Sequence, residues 1–356
     1  MAFKDDRESF VDPKFPFVTS IDGVPVEKLI EPLGSYVAKG SPQYQLRHKL
    51  RAVRDLGLAR ELSDLDSATE VKIELANSAG EVQKKRLPVS QRYPTYGIWP
   101  RPQDSRILDN NIGYVRIFSM NGDAKNLVGK CMTEFAKTDG LIIDVRDNGG
   151  GTREALVELA AHLMKPEDTP RIANVCKYVL HRSHSEDHLE SRFAFRADFA
   201  GFDARNQAAI QKFAKTFEPQ WKPEAGRFSE WHYLVVSNPT KDPRPFYDKH
   251  VVILMNEKCF SATDIFLGAF KGWSNVTLVG QPSGGGSAKS ESFNLPVSGC
   301  RVKCASIASF QPNGKLYDGN GIEPDVLVQP TPEYFLEGGD DPFIAKAMEV
   351  LSEKSN

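Results

Sequence analysis

The chain has 356 residues, of which 40% are hydrophobic and 26% charged, a composition typical of soluble proteins with one large domain or two smaller ones. Its 45 Lys and Arg residues nearly balance 47 Asp and Glu residues, which gives a formal net charge of -2. Since no long run of one sign occurs, the charge pattern favours neither a phosphate backbone nor an anionic membrane surface, and we expect no nucleic-acid partner.

Five cysteines, at positions 131, 176, 259, 300 and 304, form no C-x-x-C pair. This number and spacing predict reduced thiols rather than a disulfide framework or a four-cysteine zinc site. The first fifteen residues are charged where a secretory signal would be apolar, and no window approaches eighteen apolar residues. We therefore expect neither an export signal nor a membrane span in the chain, and its compartment stays open.

Residues 1–100 have the pattern of a small mixed domain. Two short apolar runs around an Asp-Gly pair predict a hairpin over 17–26, a Leu- and Arg-rich span predicts a helix over 44–56, and alternation predicts a strand over 71–75. Prolines and aromatic residues in 92–103 are typical of a linker or a surface strap.

Residues 101–356 alternate apolar strands with helices, which predicts an α/β fold with a parallel sheet around one core. Predicted strands are 112–118, 141–145, 251–255 and 276–279. Predicted helices are 126–137, one that Thr152 caps, and 262–271.

The segment 166–249 is predicted to be a polar insertion in this core. It contains the sequence HRSHSEDH at 181–188, whose three histidines match no standard zinc spacing. A solvated surface helix or loop without a metal is the prediction for these residues.

Two turns of this core carry residues suited to catalysis. The sequence DNGGG at 147–151 can expose backbone N–H groups, and Ser261 lies where a strand turns into a helix whose first N–H groups lack internal partners. Together they could supply a nucleophile and an oxyanion hole. Each turn alone is also explained structurally, by a tight glycine turn and by a serine helix cap.

Four motifs in order resemble the tail-specific, or C-terminal processing, serine peptidases of family S41, a group that includes the tricorn-like proteases. The motifs are NIGYVRIF at 111–118, LIIDVRDNGGG at 141–151, VILMNEKCFSATD at 252–264 with GQPSGGG at 280–286, and DGNGIEPDV at 318–326. The resemblance covers roughly residues 105–350.

The resemblance implies a crotonase- and ClpP-like spiral of strand-helix units, preceded by a small, partial PDZ-like domain that presents the substrate's C-terminus. It implies that Ser261 is the nucleophile, since the family's S-A-S-E pattern is S-A-T-D here. The oxyanion hole would then be formed by the N–H of Ala262 and of a glycine, Gly149 or Gly150.

The general base departs from the family pattern. Where many relatives carry a lysine, this chain has Gly286, although Lys289 follows three residues later and could accept the serine proton if buried. The tricorn-like branch uses a histidine before the PDZ-like domain and a late glutamate. No histidine here has a matching context, and Glu323 is the candidate acidic partner, or merely part of a turn.

The predicted function is that of a serine endopeptidase that cleaves polypeptides near the C-terminus, without cofactor or metal. Its relatives usually work outside the cytoplasm, and a homo-oligomer is compatible with the family. The alternative is a catalytically impaired relative that binds peptides or small ligands, which Gly286 favours. An acyl-CoA enzyme of the crotonase group rests on architecture alone.

Overall fold

A computed structural model describes residues 1–4, 9–90, 103–181, 184–185, 187–336 and 338–355. The predicted linker lies almost wholly outside these residues. The chain divides into two compact units. The first comprises Met1–Lys39, Gln45–Gln103 and Pro330–Pro342, and the second comprises Gly40–Tyr44, Asp104–Gln329 and Phe343–Asn356.

The elements before residue 103 are short strands and helices. They are β1 (Phe17–Ile21), β2 (Val24–Pro25), α1 (Val26–Leu29), a 3-10 turn (Pro32–Tyr36), α2 (Pro42–Ala52), α3 (Leu56–Glu61), β3 (Glu70–Ala76) and β4 (Val82–Pro88). The strands form an antiparallel sheet in the order β2-β1-β3-β4. The predicted hairpin is confirmed, since Asp22 and Gly23 take φ values of 50° and 83° at its turn. The predicted helix 44–56 is instead two helices, because Asp55 caps α3 through a bond from Leu58 N to its Oδ1.

The second unit contains most of the remaining elements. They are β5 (Arg106–Leu108), β6 (Ile112–Arg116), α4 (Asp123–Glu134), β7 (Gly140–Asp144), α5 (Glu154–Leu163), β8 (Arg171–Tyr178), β9 (Phe195–Arg196), α6 (Ala204–Ala214), β10 (His232–Val236), β11 (Val251–Met255), α7 (Ala262–Phe270), β12 (Val276–Gly280), β13 (Ser290–Asn294), β14 (Arg301–Ala305), β15 (Ile307–Phe310), β16 (Val326–Leu327) and α8 (Pro342–Ser355). Short 3-10 turns are Asp109–Asn111, Glu190–Arg192 and Pro332–Phe335.

The predicted parallel sheet is confirmed in this mixed α/β fold. Among the described residues, six strands pair in the order β16-β12-β11-β7-β6-β5, all parallel except the β5–β6 pair. Every residue of β6, β7 and β11 is buried, as expected for strands covered on both faces. Because β7 and β11 are parallel neighbours, the turns after them lie side by side, and these are the two turns that the sequence singled out.

The predicted polar insertion is wrong in part, because it contributes buried strands. β8 and β10 lie within 166–249 and pair antiparallel in a second sheet, in the order β15-β8-β10-β9. Six of the eight residues of β8 are buried. Polar segments flank these strands, so the average polarity of residues 166–249 does not reveal them.

Thr152 does not cap α5, contrary to the prediction. The helix begins at Glu154 and Arg153 is its N-cap, without a side-chain capping bond. The N–H of Thr152 bonds to Met120 O beside a bridge between Met120 and Gly151, so Thr152 belongs to extended chain before the helix.

Two further expectations concern cysteines and membranes. The five cysteines are free thiols, as predicted, with Cys131, Cys176 and Cys259 buried. In the described part of the chain, no helix has both the length and the apolar character needed to span a bilayer.

Candidate active site

Ser261 lies at a strained turn between β11 and α7, residues 256–261, here called the serine turn. Its φ of 60° and ψ of -117° place a non-glycine residue where L-amino acids are rarely found. Ser261 precedes the first helical residue, but its side chain makes no capping hydrogen bond. The strain therefore holds a partly exposed hydroxyl at the helix N-terminus without using it as a cap.

The glycine loop, residues 147–151, packs directly against the serine turn. Gly150 has a φ of +105°, and a Cβ added to it would lie 2.7 Å from Ser261 Cβ and 2.9 Å from Ala262 N. Only a residue without a side chain fits this close approach. The structure thus brings together Ser261, Ala262 and Gly150, which the sequence identified as site residues.

Hydrogen bonds centred on Asn148 fasten the two turns together. Asn148 is fully buried, and its backbone O accepts a bond from Phe260 N at 3.1 Å. Its Oδ1 accepts bonds from Thr263 Oγ1 at 2.8 Å and from Gly150 N at 2.9 Å. Its Nδ2 donates to Ile117 O at 2.9 Å. The bonds from Phe260 and Thr263 join the glycine loop to the residues on either side of Ser261, and the bond to Ile117 O fixes the loop to the chain after β6.

A second set of contacts joins residues 145–147 to the first residues of the serine turn. Asp147 N donates to Asn256 Oδ1 at 2.9 Å, and Asn256 Nδ2 returns a bond to Asp147 Oδ1 at 2.8 Å. Lys258 pairs with Asp147 at 3.0 Å. Cys259 Sγ donates to Val145 O at 3.0 Å, and burial raises the pKa of this thiol well above its usual value. Cys259 is therefore a protonated packing residue beside Ser261.

The two candidate oxyanion-hole glycines differ in their surroundings. The N–H of Gly150 already donates to Asn148 Oδ1. Gly149 is exposed, and a Cβ added to it would meet no atom within 4 Å. Of the two, Gly149 has the more accessible N–H group.

Asp264, which the sequence analysis did not assign a role, connects the serine turn to a loop of residues 283–288. Its side chain is fully buried and accepts bonds from Ser283 Oγ at 2.5 Å and from Gly285 N and Gly286 N at 3.1 Å each. It also accepts a bond from the backbone N–H of Ser261. Burial raises the pKa of Asp264 to about 6, against the opposing effect of these hydrogen bonds.

Asp318 holds the other half of the 283–288 loop. Its Oδ1 accepts bonds from Ser287 N and Ala288 N at 3.2 Å each, and Oδ2 accepts one from Ser287 Oγ at 3.3 Å. Burial raises the pKa of this carboxyl group as well. Asp264 and Asp318 both fall in motifs that carry the family resemblance, which was the available signal for them.

Gly286, which the sequence analysis matched to the family lysine, faces the ring of Phe260. A Cβ added to Gly286 would overlap that ring, and one added to Gly284 would lie 2.7 Å from Phe260 Cδ2. The ring of Tyr44 stacks on Phe260 with centroids 5.5 Å apart. Phe260 therefore occupies the space into which a side chain at position 286 would begin to extend.

The two candidate proton-transfer residues lie in different surroundings. Lys289 is partly buried, and its Nζ donates to His188 O at 3.0 Å and lies 3.5 Å from His188 Nδ1. Burial, followed by the charge of Lys289, lowers the pKa of His188 to about 4. Glu323 is exposed. The described contacts join neither Lys289 nor Glu323 to Ser261.

Residues 111–328, more than half of the chain, match the family profile described as Peptidase family S41. The chain belongs to peptidase family S41. Among curated proteins it is 25% identical over 290 residues to an uncharacterized protein of Chlamydia muridarum (strain MoPn / Nigg), a match that covers 74% of this chain and 45% of that protein. The chain thus spans less than half the length of that relative.

Solved structures of peptidases match most of the chain. Mature CPAF matches with a TM-score of 0.60 and 17% identity, over 95% of this chain and 75% of that one. CPAF complexed with lactacystin matches with a TM-score of 0.58 and 15% identity, over 95% and 76% of the two chains. The photosystem II D1 C-terminal processing protease matches with a TM-score of 0.42 and 15% identity, over 95% of this chain and 67% of that one. At these identities the CPAF matches bear on the fold alone.

Proposed function

We propose that this chain is a serine endopeptidase whose nucleophile is Ser261. The observation that carries this proposal is the backbone strain at Ser261, since a structural helix cap requires neither a positive φ nor a side chain left without a capping bond. Membership of family S41 supports the reaction class.

The first chemical step forms a bond between Ser261 Oγ and the carbonyl carbon of the scissile peptide. The carbonyl oxygen gains negative charge, which the N–H groups of Ala262 and Gly149 stabilise at the N-terminus of α7. The C–N bond then breaks, the amine leaves with a proton, and an ester on Ser261 is left. Water hydrolyses this ester, releases the acyl product and restores the hydroxyl.

Lys289 is the proposed acceptor of the Ser261 proton. It lies directly after the 283–288 loop that Asp264 connects to the serine turn, and it is partly buried. A lysine can act as a general base when its surroundings favour the neutral amine. Glu323, which is exposed, is the weaker candidate for an acidic partner.

The substrate class is proposed to be polypeptides cleaved near the C-terminus. The antiparallel sheet β2-β1-β3-β4 with its short helices is compatible with a partial PDZ-like domain, which would present such a terminus. The parallel sheet with its strand-helix units is compatible with a crotonase-like spiral. Both assignments rest on the family resemblance.

Cleavage of an unfolded polypeptide tests the proposal. Wild-type protein and Ser261→Ala would be incubated with a denatured, fluorescently labelled protein, and circular dichroism would show that both are folded. We expect fragments from the wild type alone. Equal cleavage by both proteins would show that Ser261 is not the nucleophile. Lactacystin, which CPAF binds in one compared structure, is an inhibitor to try in the same assay.

The alternative function is peptide binding without cleavage. It is favoured by Gly286 and the Phe260 ring beside it, which leave no space for the family lysine. In the same experiment, a folded wild type that retains the polypeptide on a column but never cleaves it would favour this alternative.

A further inference from the structure

Three side chains with metal-binding atoms meet beside β13. His184 and His188 belong to the segment after β8, and Glu291 lies in β13, 107 residues after His184. Their candidate ligand atoms all lie within 4.8 Å of one another. The sequence predicted a solvated surface here, but folding brings a carboxylate to the two histidines, and the His184 side chain is only 3% exposed.

The two ring nitrogens of His184 contact Val179 and Glu291. Its Nδ1 lies 2.6 Å from Val179 O, and since a carbonyl oxygen only accepts, Nδ1 carries a hydrogen. Its Nε2 contacts Glu291 Oε1. These two atoms lie as close as a hydrogen-bonded pair, so binding of one metal ion by both requires them to move apart.

The bond from His184 Nδ1 to Val179 O has a second implication. Histidines that bind metals typically donate their other N–H group to a carbonyl or carboxylate, which fixes the ring and its tautomer. His184 already has this supporting contact, and its metal-facing nitrogen would be Nε2.

His188 supplies a second nitrogen donor. Its ring stacks on that of His184 with centroids 4.1 Å apart. Its Nε2 is buried and makes no hydrogen bond in the described structure. A buried polar atom without a partner is costly, and a metal ion would satisfy it. The ammonium of Lys289 is already bonded to His188 O at 3.0 Å, and its 3.5 Å distance from Nδ1 is too long for a good hydrogen bond.

The type of ligand selects the metal. Two imidazoles and one carboxylate suit Zn²⁺, which binds such sets with a fourth position for water, whereas Ca²⁺ and Mg²⁺ prefer oxygen ligands. Buried apolar residues around the segment, Tyr178, Leu189, Ala194 and Ile307, would shield the site. The positive charges of Lys289 and Arg192 near His188 would oppose the ion, so its affinity should be below that of a thiolate zinc site.

We propose that His184, His188 and Glu291 bind a Zn²⁺ ion. The ion would join the segment after β8 to β13, and so brace the chain that follows the 283–288 loop. The proposal does not require Ser261 to be the nucleophile, but it shares Lys289 with the proposed function, because Lys289 Nζ donates to His188 O.

Metal titration of the full chain tests this site. Protein freed of metal with a chelator would be titrated with Zn²⁺ by calorimetry, and with Co²⁺ by visible absorption, which reports coordination geometry. We expect one equivalent to bind the wild type and to raise its melting temperature. His184→Ala, His188→Ala and the isosteric Glu291→Gln should each weaken binding at least about tenfold.

His181→Ala is the matched control, because His181 is exposed and its ring lies 5.6 Å from that of His184, but it is not one of the three ligands. It should bind Zn²⁺ as the wild type does. If the wild type binds no Zn²⁺, or if the folded Glu291→Gln variant binds it equally well, the proposal is wrong.

Discussion

Phe260 and Gly286 are in direct contact, so that a Cβ at position 286 would overlap the aromatic ring. The ring fills the space that any side chain at position 286 would need. Tyr44 stacks on the same ring and limits its movement. The absence of a side chain at position 286 is therefore required by the aromatic residue next to the proposed nucleophile.

A double-mutant cycle measures this coupling. Gly286→Ala should destabilise the protein by about 1–3 kcal/mol, because the new methyl group overpacks against the ring. In a Phe260→Ala background the same change should cost less, which gives a coupling energy of at least about 1 kcal/mol in urea unfolding. Additive effects of the two changes would show that the ring moves freely away from position 286.

Gly150 should be the most sensitive position of the glycine loop. Gly150→Ala adds a methyl group 2.7 Å from both Ser261 Cβ and Phe260 O, at a φ of +105°. We expect the rate of labelling by a fluorophosphonate probe to fall at least about 100-fold, because the hydroxyl is displaced. Gly149→Ala meets open space, so its free energy of unfolding should stay within about 0.5 kcal/mol of wild type. If both variants changed the labelling rate and the free energy of unfolding by the same amount, the described packing would be contradicted.

Asp264 should give the protein a specific pH dependence. Burial raises the pKa of Asp264 from 3.8 to about 6, so the folded state binds this proton more tightly than the unfolded chain does. Its contribution to stability is therefore present at low pH and is lost as the pH rises. Between about pH 4 and pH 6, the stability of the wild type relative to Asp264→Asn should fall by up to about 3 kcal/mol. Urea unfolding of both proteins across this range measures the difference, and a constant difference would rule out the raised pKa.

Lys289 and Glu323 can be separated as proton-transfer residues. If Lys289 accepts the serine proton, Lys289→Met should slow fluorophosphonate labelling at least about 100-fold. Glu323→Gln should change it less than about twofold, because the carboxylate is exposed and hydrated. Unchanged labelling of Lys289→Met would eliminate Lys289 as the base while leaving Ser261 as the nucleophile.

The sequence predicted the central sheet well because its main strands are continuous apolar runs bounded by clear turns. β11 begins and ends at the predicted residues, and α7 ends one residue early. That Ser261 and the glycine loop act together was an implication of the family resemblance, and their adjacency depends on the pairing of β7 with β11, which the order of elements alone does not fix.

Other features depend on contacts between residues distant in sequence. β8 was missed because its apolar residues are interrupted by Asn174 and lie next to polar segments, whereas Asn174 is bonded to Ser309 Oγ and Phe310 O in the neighbouring strand. The residues next to Asp264 in the sequence do not indicate that its carboxylate binds the 283–288 loop. The contact of Glu291 with His184 was likewise not predictable from the sequence, because the two residues are 107 positions apart.

Locating the covalent adduct of a fluorophosphonate probe on the native chain tests the central claim most directly. The labelled protein would be digested and its peptides sequenced by mass spectrometry, with heat-unfolded protein as the control. The account predicts one modified site, Ser261, that labels only while the protein is folded. A folded chain that stays unlabelled, or an adduct on a different residue, would contradict it.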